Sequence, residues 1–207
     1  GADQGLAIDD FSLNTNVVAA ADPIVQIVKS VDLVADPVAL PGSVLEYSFL
    51  VSVDATSTQG VRDFVLTDSL PDTVNAITSQ VDPSYVFSIE VDDVVNLTAA
   101  ADDDAGEIVN GVVTVRLGEL AVDSLAEVKF RVSVAKTTTK FTLANVGSAT
   151  FDGAVTGTGF EVDSTEALIA VVACEESADC DDDDVCTAES CNAGNCVAET
   201  IDNDCDD

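Results

Sequence analysis

The chain contains no histidine, no tryptophan, two tyrosines and seven lysines and arginines among 207 residues. Without histidine, neither a Ser-His-Asp nor a Cys-His catalytic arrangement can be built. Carboxylate pairs are abundant, but Tyr47 and Tyr85 alone supply too few aromatics for a carbohydrate-cleaving cleft. Recognition of phosphate needs a basic surface, and 7 cationic side chains stand against 39 Asp and Glu, a formal charge of −32. Nucleic acid is thereby excluded as a partner, and an anionic membrane would repel the chain. No apolar run approaches a membrane span, since LIAVVAC (168–174) is far too short. GTGF (157–160) is a glycine-bearing hairpin rather than a nucleotide loop, because no helix follows it. We expect a protein that is not an enzyme, needs no organic cofactor and does not insert into membranes.

Cysteine is missing from the first 173 residues and then occurs six times, at Cys174, Cys180, Cys186, Cys191, Cys196 and Cys205. An even number without CxxC or histidine reads as disulfides rather than zinc, and disulfides persist outside the cytosol. The spacing does not choose among the possible pairings. So short and polar a segment cannot bury a core and must be stapled. The chain starts at Gly1 with no charged leader, so we expect a mature chain after signal removal, secreted and extracellular or on the cell surface. With 47% hydrophobic residues it is no disordered acidic tail. It reads as a folded domain with an acidic shell.

The hydrophobic pattern is that of strands. IVQIVKSVDLVAD (24–36), SVLEYSFLVSVDA (43–55), VRDFVLTDSL (61–70) and YVFSIEV (85–91) come first, followed by GVVTVRLGEL (111–120), LAEVKFRVSVAK (125–136), FTLANVGSATF (141–151) and STEALIAVV (164–172). Val, Ile, Thr and Phe dominate these runs, and Asp, Pro, Gly, Ser and Asn separate them. LEYSFLVSV and VKFRVSV alternate as antiparallel strands with one wet face do. The spacing predicts an all-β protein, an immunoglobulin-like two-sheet sandwich over residues 23–173, followed by a small disulfide-rich module over 174–207. Residues 1–22 form an N-terminal extension in which Leu6/Ile8 and Phe11/Leu13 alternate as a half-buried strand does.

IVKSVD (27–32), PGSVLEYSFLVSV (41–53), FVLTDSLPD (64–72), VRLGELAVDSLAEVKFRVSV (115–134) and LANVGSATF (143–151) follow one another in a recognisable order. Over about residues 24–172 the chain resembles the conserved repeat of bacterial and archaeal surface proteins known as domain of unknown function eleven, with TDSLP and PGxxxxY the specific parts. It departs from that repeat at Asp54, where Asn is usual, and in NVGSAT, which has an extra residue before the Ala. The resemblance implies a stalk, adhesin or surface-layer component rather than an enzyme. It also raises an isopeptide bond of the kind found in pilin-like sandwiches, with Lys29 joined to Asn145 and Asp68 as the buried acid. Burial would favour a neutral, nucleophilic Lys29 and a protonated Asp68.

Metal chemistry is represented by DCDDDD, in which Asp179, Asp181 and Asp183 alternate like the first ligands of an EF-hand loop. Asp184 replaces the turn glycine and no Glu occupies the twelfth place, so this is no EF-hand. A disulfide-caged calcium site remains the expectation, with a second acidic loop at Asp102 and Asp104. Asn96 heads the only N-x-S/T sequon and is a candidate glycosylation site. Two functions follow, with a secreted hydrolase using paired Asp or Glu residues as a third and weaker reading. In the first, the chain is a subunit of a secreted filament, a helical homopolymer in which Leu6, Ile8, Phe11 and Leu13 complete the sheet of the next copy by donor-strand addition, with calcium as stabiliser. In the second, it is a monomeric surface adhesin or binding module with the Cys-rich knob as recognition surface.

Overall fold

The computed structural model describes residues 20–35, 37–76, 89–91, 94–97 and 105–201. Leu6, Ile8, Phe11 and Leu13, the loop aspartates Asp102 and Asp104, and Cys205 lie outside these residues. The strands are β1 (Val25–Leu33), β2 (Val44–Val53), β3 (Val61–Ser69), β4 (Val74–Ala76), β5 (Ile89–Val91), β6 (Val94–Leu97), β7 (Gly106–Val109), β8 (Val112–Leu120), β9 (Leu125–Val134), β10 (Phe141–Asn145), β11 (Gly147–Gly153), β12 (Gly159–Asp163) and β13 (Ala167–Val171). β14 (Thr187–Asn192) and β15 (Asn195–Thr200) follow in the C-terminal module.

Two antiparallel sheets, ordered β1-β2-β9-β5-β6 and β12-β11-β3-β8-β7, pack face to face, with β4 also on β9 and β10-β13 as a short separate pair. Strict alternation along β2 sends Leu45, Tyr47, Phe49, Val51 and Val53 inward, where they meet Phe130 of β9 and Phe64, Leu66 and Val115 of the facing sheet. Each such side chain contributes on the order of 1.5–3 kcal/mol by leaving water, which is why the sandwich holds without cysteines. On β3 a bulge puts Arg62 and Asp63 both outside, with Asp63 at φ +53°. The register that follows turns Phe64, Leu66 and Asp68 inward.

The segment 141–151, expected as one strand, is two. Asn145 pairs with Ala167 in the β10-β13 ladder, whereas Gly147 pairs with Asp68 on β3, so the chain changes sheets at Val146. Leu143, Asn145, Gly147 and Ala149 are all buried, and the inward alternation therefore survives the crossing. Gly147 is required at that corner. A Cβ there would stand 2.6 and 2.8 Å from the Phe49 ring carbons.

The two ends of the sandwich differ. At one pole Ala21 donates its N–H to Thr58 Oγ1, its carbonyl accepts from Gln59 Nε2, and Ile24 N–H donates to Ser57 Oγ. The N-terminal extension is thus tied in beside the β2-β3 loop. At the opposite pole the C-terminal module docks on the β9-β10 connection. Cys196 N–H donates to Thr138 O, Lys140 N–H to Asn195 Oδ1, and Ala173 N–H to Gly194 O. Within the module a 3-10 turn (Ser177–Cys180) precedes the β14-β15 hairpin, which turns through Ala193 and Gly194 at positive φ. Disulfides join Cys174 to Cys191 and Cys180 to Cys196. Cys186 is disulfide-bonded as well.

Candidate cross-linking site

Three polar residues stand in the apolar phase of their strands and meet between the sheets. Lys29 follows Ile27 on the inner face of β1, Asp68 follows Leu66 on β3, and Asn145 follows Leu143 on β10. All three are buried, at 4%, 1% and 5% exposure. Lys29 Nζ lies 2.8 Å from Asp68 Oδ2, and Asn145 Nδ2 donates to the same oxygen at 3.2 Å. The structure therefore brings together the whole set singled out for an isopeptide bond.

Aromatic rings form the walls. Lys29 Nζ sits 4.5 Å from the centre of the Tyr47 ring and 4.8 Å from that of Phe49, its register partner across β1 and β2. The backbone of Lys29 is held on its other edge by Thr165, whose Oγ1 accepts from Lys29 N–H at 2.9 Å. Among the described residues Asp68 Oδ1 is buried without a hydrogen-bond partner, and the Tyr47 hydroxyl is buried with the Asn145 side chain beside it.

Electrostatics follow from this dryness. Burial pushes the Lys29 amine below its ordinary range, against the opposing pull of the Asp68 carboxylate. Burial likewise pushes Asp68 up, with Lys29 and Asn145 opposing. For Tyr47, burial and then the Asp68 charge raise the phenol to about 12. Both partners of the pair are thus biased toward their neutral forms, an uncharged amine beside a protonated carboxyl.

Chemically, the arrangement suits amide exchange. The attacking nitrogen and the nitrogen that would depart both contact Asp68 Oδ2, so one carboxyl oxygen can pass a proton between them. Tyr47 and Phe49, which sequence reasoning did not single out as site residues, complete the dry pocket. Their signal was present in the strand phase, since both belong to the inward set of LEYSFLVSV.

The remaining candidates are placed differently. Asp179 Oδ2 accepts the N–H groups of Glu175 and Glu176, which hold its carboxyl below the usual range. Asp181 Oδ1 accepts from Asp183 N–H, and Asp184 Oδ1 from Cys186 N–H. Each aspartate thus caps its own turn. Among the described residues, the only three Cys or carboxylate ligand atoms lying within 4.8 Å of one another belong to Cys174, Cys180 and Cys196, and these sulfurs are engaged in disulfides. Asn96 falls in β6. No helix among the described residues is long and apolar enough to cross a membrane.

No protein-family model matches the chain, and no curated protein sequence does either. Solved structures similar to it include domains D2 and D3 of the major pilin SpaD from Corynebacterium diphtheriae, at 14% identity and TM-score 0.47 over 69% of this chain and 51% of that one. The 35 kDa C-terminal fragment of the major pilin GBS80 of Streptococcus agalactiae gives 9% identity and TM-score 0.48, over 72% of this chain and 56% of that one. The collagen-binding subdomain of the Enterococcus faecalis surface protein ACE gives 9% identity and TM-score 0.39, over 69% of this chain and 94% of that one. This chain spans only about half the length of the two pilin structures. Likeness at these levels says nothing of what the chain binds or builds.

Proposed function

We propose that this chain is a structural subunit of an extracellular surface filament, and that its sandwich is locked by an amide bond it forms itself between Lys29 and Asn145. The observation that carries this reading is the burial of Lys29, Asp68 and Asn145 around one carboxyl oxygen in an otherwise apolar core. A buried ion pair is weak support for stability, because desolvation offsets most of its attraction. A reaction that consumes the amine explains why it is there.

In the proposed step the neutral Lys29 Nζ attacks Asn145 Cγ, while protonated Asp68 polarises the amide. The Nζ–Cγ bond forms, the Cγ–Nδ2 bond breaks, and Nδ2 leaves as ammonia with a proton relayed through Asp68. The product is a secondary amide, and no external oxidant or cofactor is needed. Intact mass of the purified chain tests it. A deficit of one ammonia beyond the disulfide hydrogens, with a Lys29–Asn145 branched peptide after digestion, is expected. A mass accounted for by disulfides alone would overturn it.

The filament part rests on polarity. The N-terminal extension is tied in at one pole and the disulfide module docks at the other, so a contact between the two on different copies is heterologous and, where its rotation leaves the chain open, propagates into a filament. Donor-strand addition by residues 6–13 is the finer form of this reading. Calcium, in the same reading, screens the charge between copies; chelation followed by electron microscopy tests it, and fibres indifferent to chelation would remove calcium from the account. Disulfides in the module fit an oxidising exterior.

A further inference from the structure

The seven cations of this acidic chain are not used alike. Lys29 is buried with Asp68, and Arg62 lies beside Asp63 and Asp152. Arg116 pairs with Glu107, Lys129 with Glu127, and Arg131 with Glu46. Lys136 and Lys140 alone have no carboxylate partner among the described residues, and both are exposed. With 39 acidic residues available, two uncommitted cations in one short connection stand out from the rest of the surface.

That connection joins β9 to β10 at the pole carrying the disulfide module. A groove lined by Thr73, Ala135, Lys136, Thr137, Thr139 and Phe141 runs along one side of it. On the other side Lys140 borders a second groove with Val38, Val172, Glu175 and Gly194, and its Nζ donates to the Ala193 carbonyl at 3.1 Å. β10 starts between them and, among the described residues, is paired on one edge only, with β13. A strand edge beside these grooves, with two cations that have no carboxylate partner among the described residues, is a receptor for an apolar and acidic segment.

The chain itself carries such a segment. Residues 1–19 combine Leu6, Ile8, Phe11 and Leu13 with Asp3, Asp9 and Asp10 and hold no Lys or Arg. They lead into Ala21 and Ile24, which are anchored at the opposite pole. We infer that the β9-β10 connection and the adjoining edge of β10, flanked by Lys136 and Lys140, receive the N-terminal segment of a second copy of this chain. The inference rests on the filament reading and adds the acceptor. Two copies of charge −32 repel over most of their surfaces, and this is the place where an acidic strand meets cations without a carboxylate partner among the described residues.

Zero-length amine-to-carboxylate cross-linking of the full-length protein, mixed from heavy-nitrogen and light-nitrogen preparations, tests it. Mixed-isotope peptides joining Lys136 or Lys140 to Asp9 or Asp10 are expected. Peptides of a single isotope only would place the segment in its own domain and overturn the inference, as would cross-links elsewhere. In parallel, the double variant Lys136→Glu/Lys140→Glu should lower the assembled fraction by about tenfold or more, because like charges now oppose docking. Its melting temperature and Lys29–Asn145 mass deficit should not change. Fibres formed as readily by this variant would sink the acceptor while keeping the filament. A wild-type chain that stays dispersed at every concentration would sink the filament reading itself, and the acceptor with it.

Discussion

Replacing Asn145 with alanine separates the cross-link from the buried pair beneath it. Asn145→Ala leaves Lys29 and Asp68 in contact, at 2.8 Å, and removes the amide carbon that Lys29 would attack. A bond between residues 29 and 145 closes a loop on the order of 100 residues, whose lost closure entropy is about 5 kcal/mol of stability by the cross-link relation. The loss should therefore approach about 5 kcal/mol, a fall in Tm of roughly 10–20 °C for a chain of this size. Calorimetry alongside intact mass makes the comparison, with the disulfides kept oxidised in both samples. Lys29→Ala serves less well, because it also strands the Asp68 carboxyl without its amine. A wild-type mass without ammonia loss, together with a Tm change of only a few degrees in Asn145→Ala, would refute the reasoning.

Four further outcomes are expected. The rate of bond formation, followed by mass after cell-free synthesis, should be bell-shaped in pH: acid protonates Lys29 and removes the nucleophile, alkali ionises Asp68 and removes the acid. A rate flat across both limbs would remove these two residues from the mechanism. Tyr47, raised to about 12 when folded, stabilises the fold fully below its unfolded value near 10, and that contribution of about 3 kcal/mol is lost as pH rises between the two. Tyr47→Phe should flatten the alkaline limb of a denaturation series, and an unchanged limb would contradict the burial argument. Gly147→Ala forces a methyl against Phe49, at a cost of about 1–3 kcal/mol, and should slow bond formation by displacing the ring over Lys29. Cys180→Ser with Cys196→Ser opens a loop of about 15 residues worth about 3 kcal/mol, which should raise amide exchange at Thr138–Lys140 while the β2-β9 ladder stays protected.

The fold was legible because the sequence alternates. LEYSFLVSV and LAEVKFRVSV place every second residue inward, and the facing sheet answers with Phe64, Leu66, Val113 and Val115. The break at Val146 was not legible, because inward alternation runs unbroken from Leu143 to Ala149 while the strand changes partners. Only Gly147 marked it, and a glycine in a strand has several explanations. The cross-linking set was legible twice over. The resemblance to a surface repeat pointed to Lys29, Asp68 and Asn145, and the phase of each strand says the same independently. Lys29 shares its face with Ile27, Asp68 with Leu66, and Asn145 with Leu143, so three polar residues stand in the inward phase of β1, of β3 beyond its bulge, and of β10. In the acidic run 179–184 backbone N–H groups contact one carboxylate oxygen each of Asp179, Asp181 and Asp184, while Asp181, Asp183 and Asp184 line one groove with Glu189.

The positions of the staples bear on what the chain can carry. Tension entering through the N-terminal extension reaches β1 and would pass at Lys29 directly into Asn145 once the amide is formed, leaving β2 through β9 outside the path of the load. From Asn145 it continues through β11 to β13 and into Cys174, where the disulfide to Cys191 begins. Stretching could then extend only the residues before Lys29, those between Asn145 and Cys174, and the module. In single-molecule pulling from both ends, the long extension expected from unravelling residues 30–144 should be absent in wild type and should appear in Asn145→Ala. Its presence in both would mean that the amide is not made, whatever the geometry around Asp68 allows.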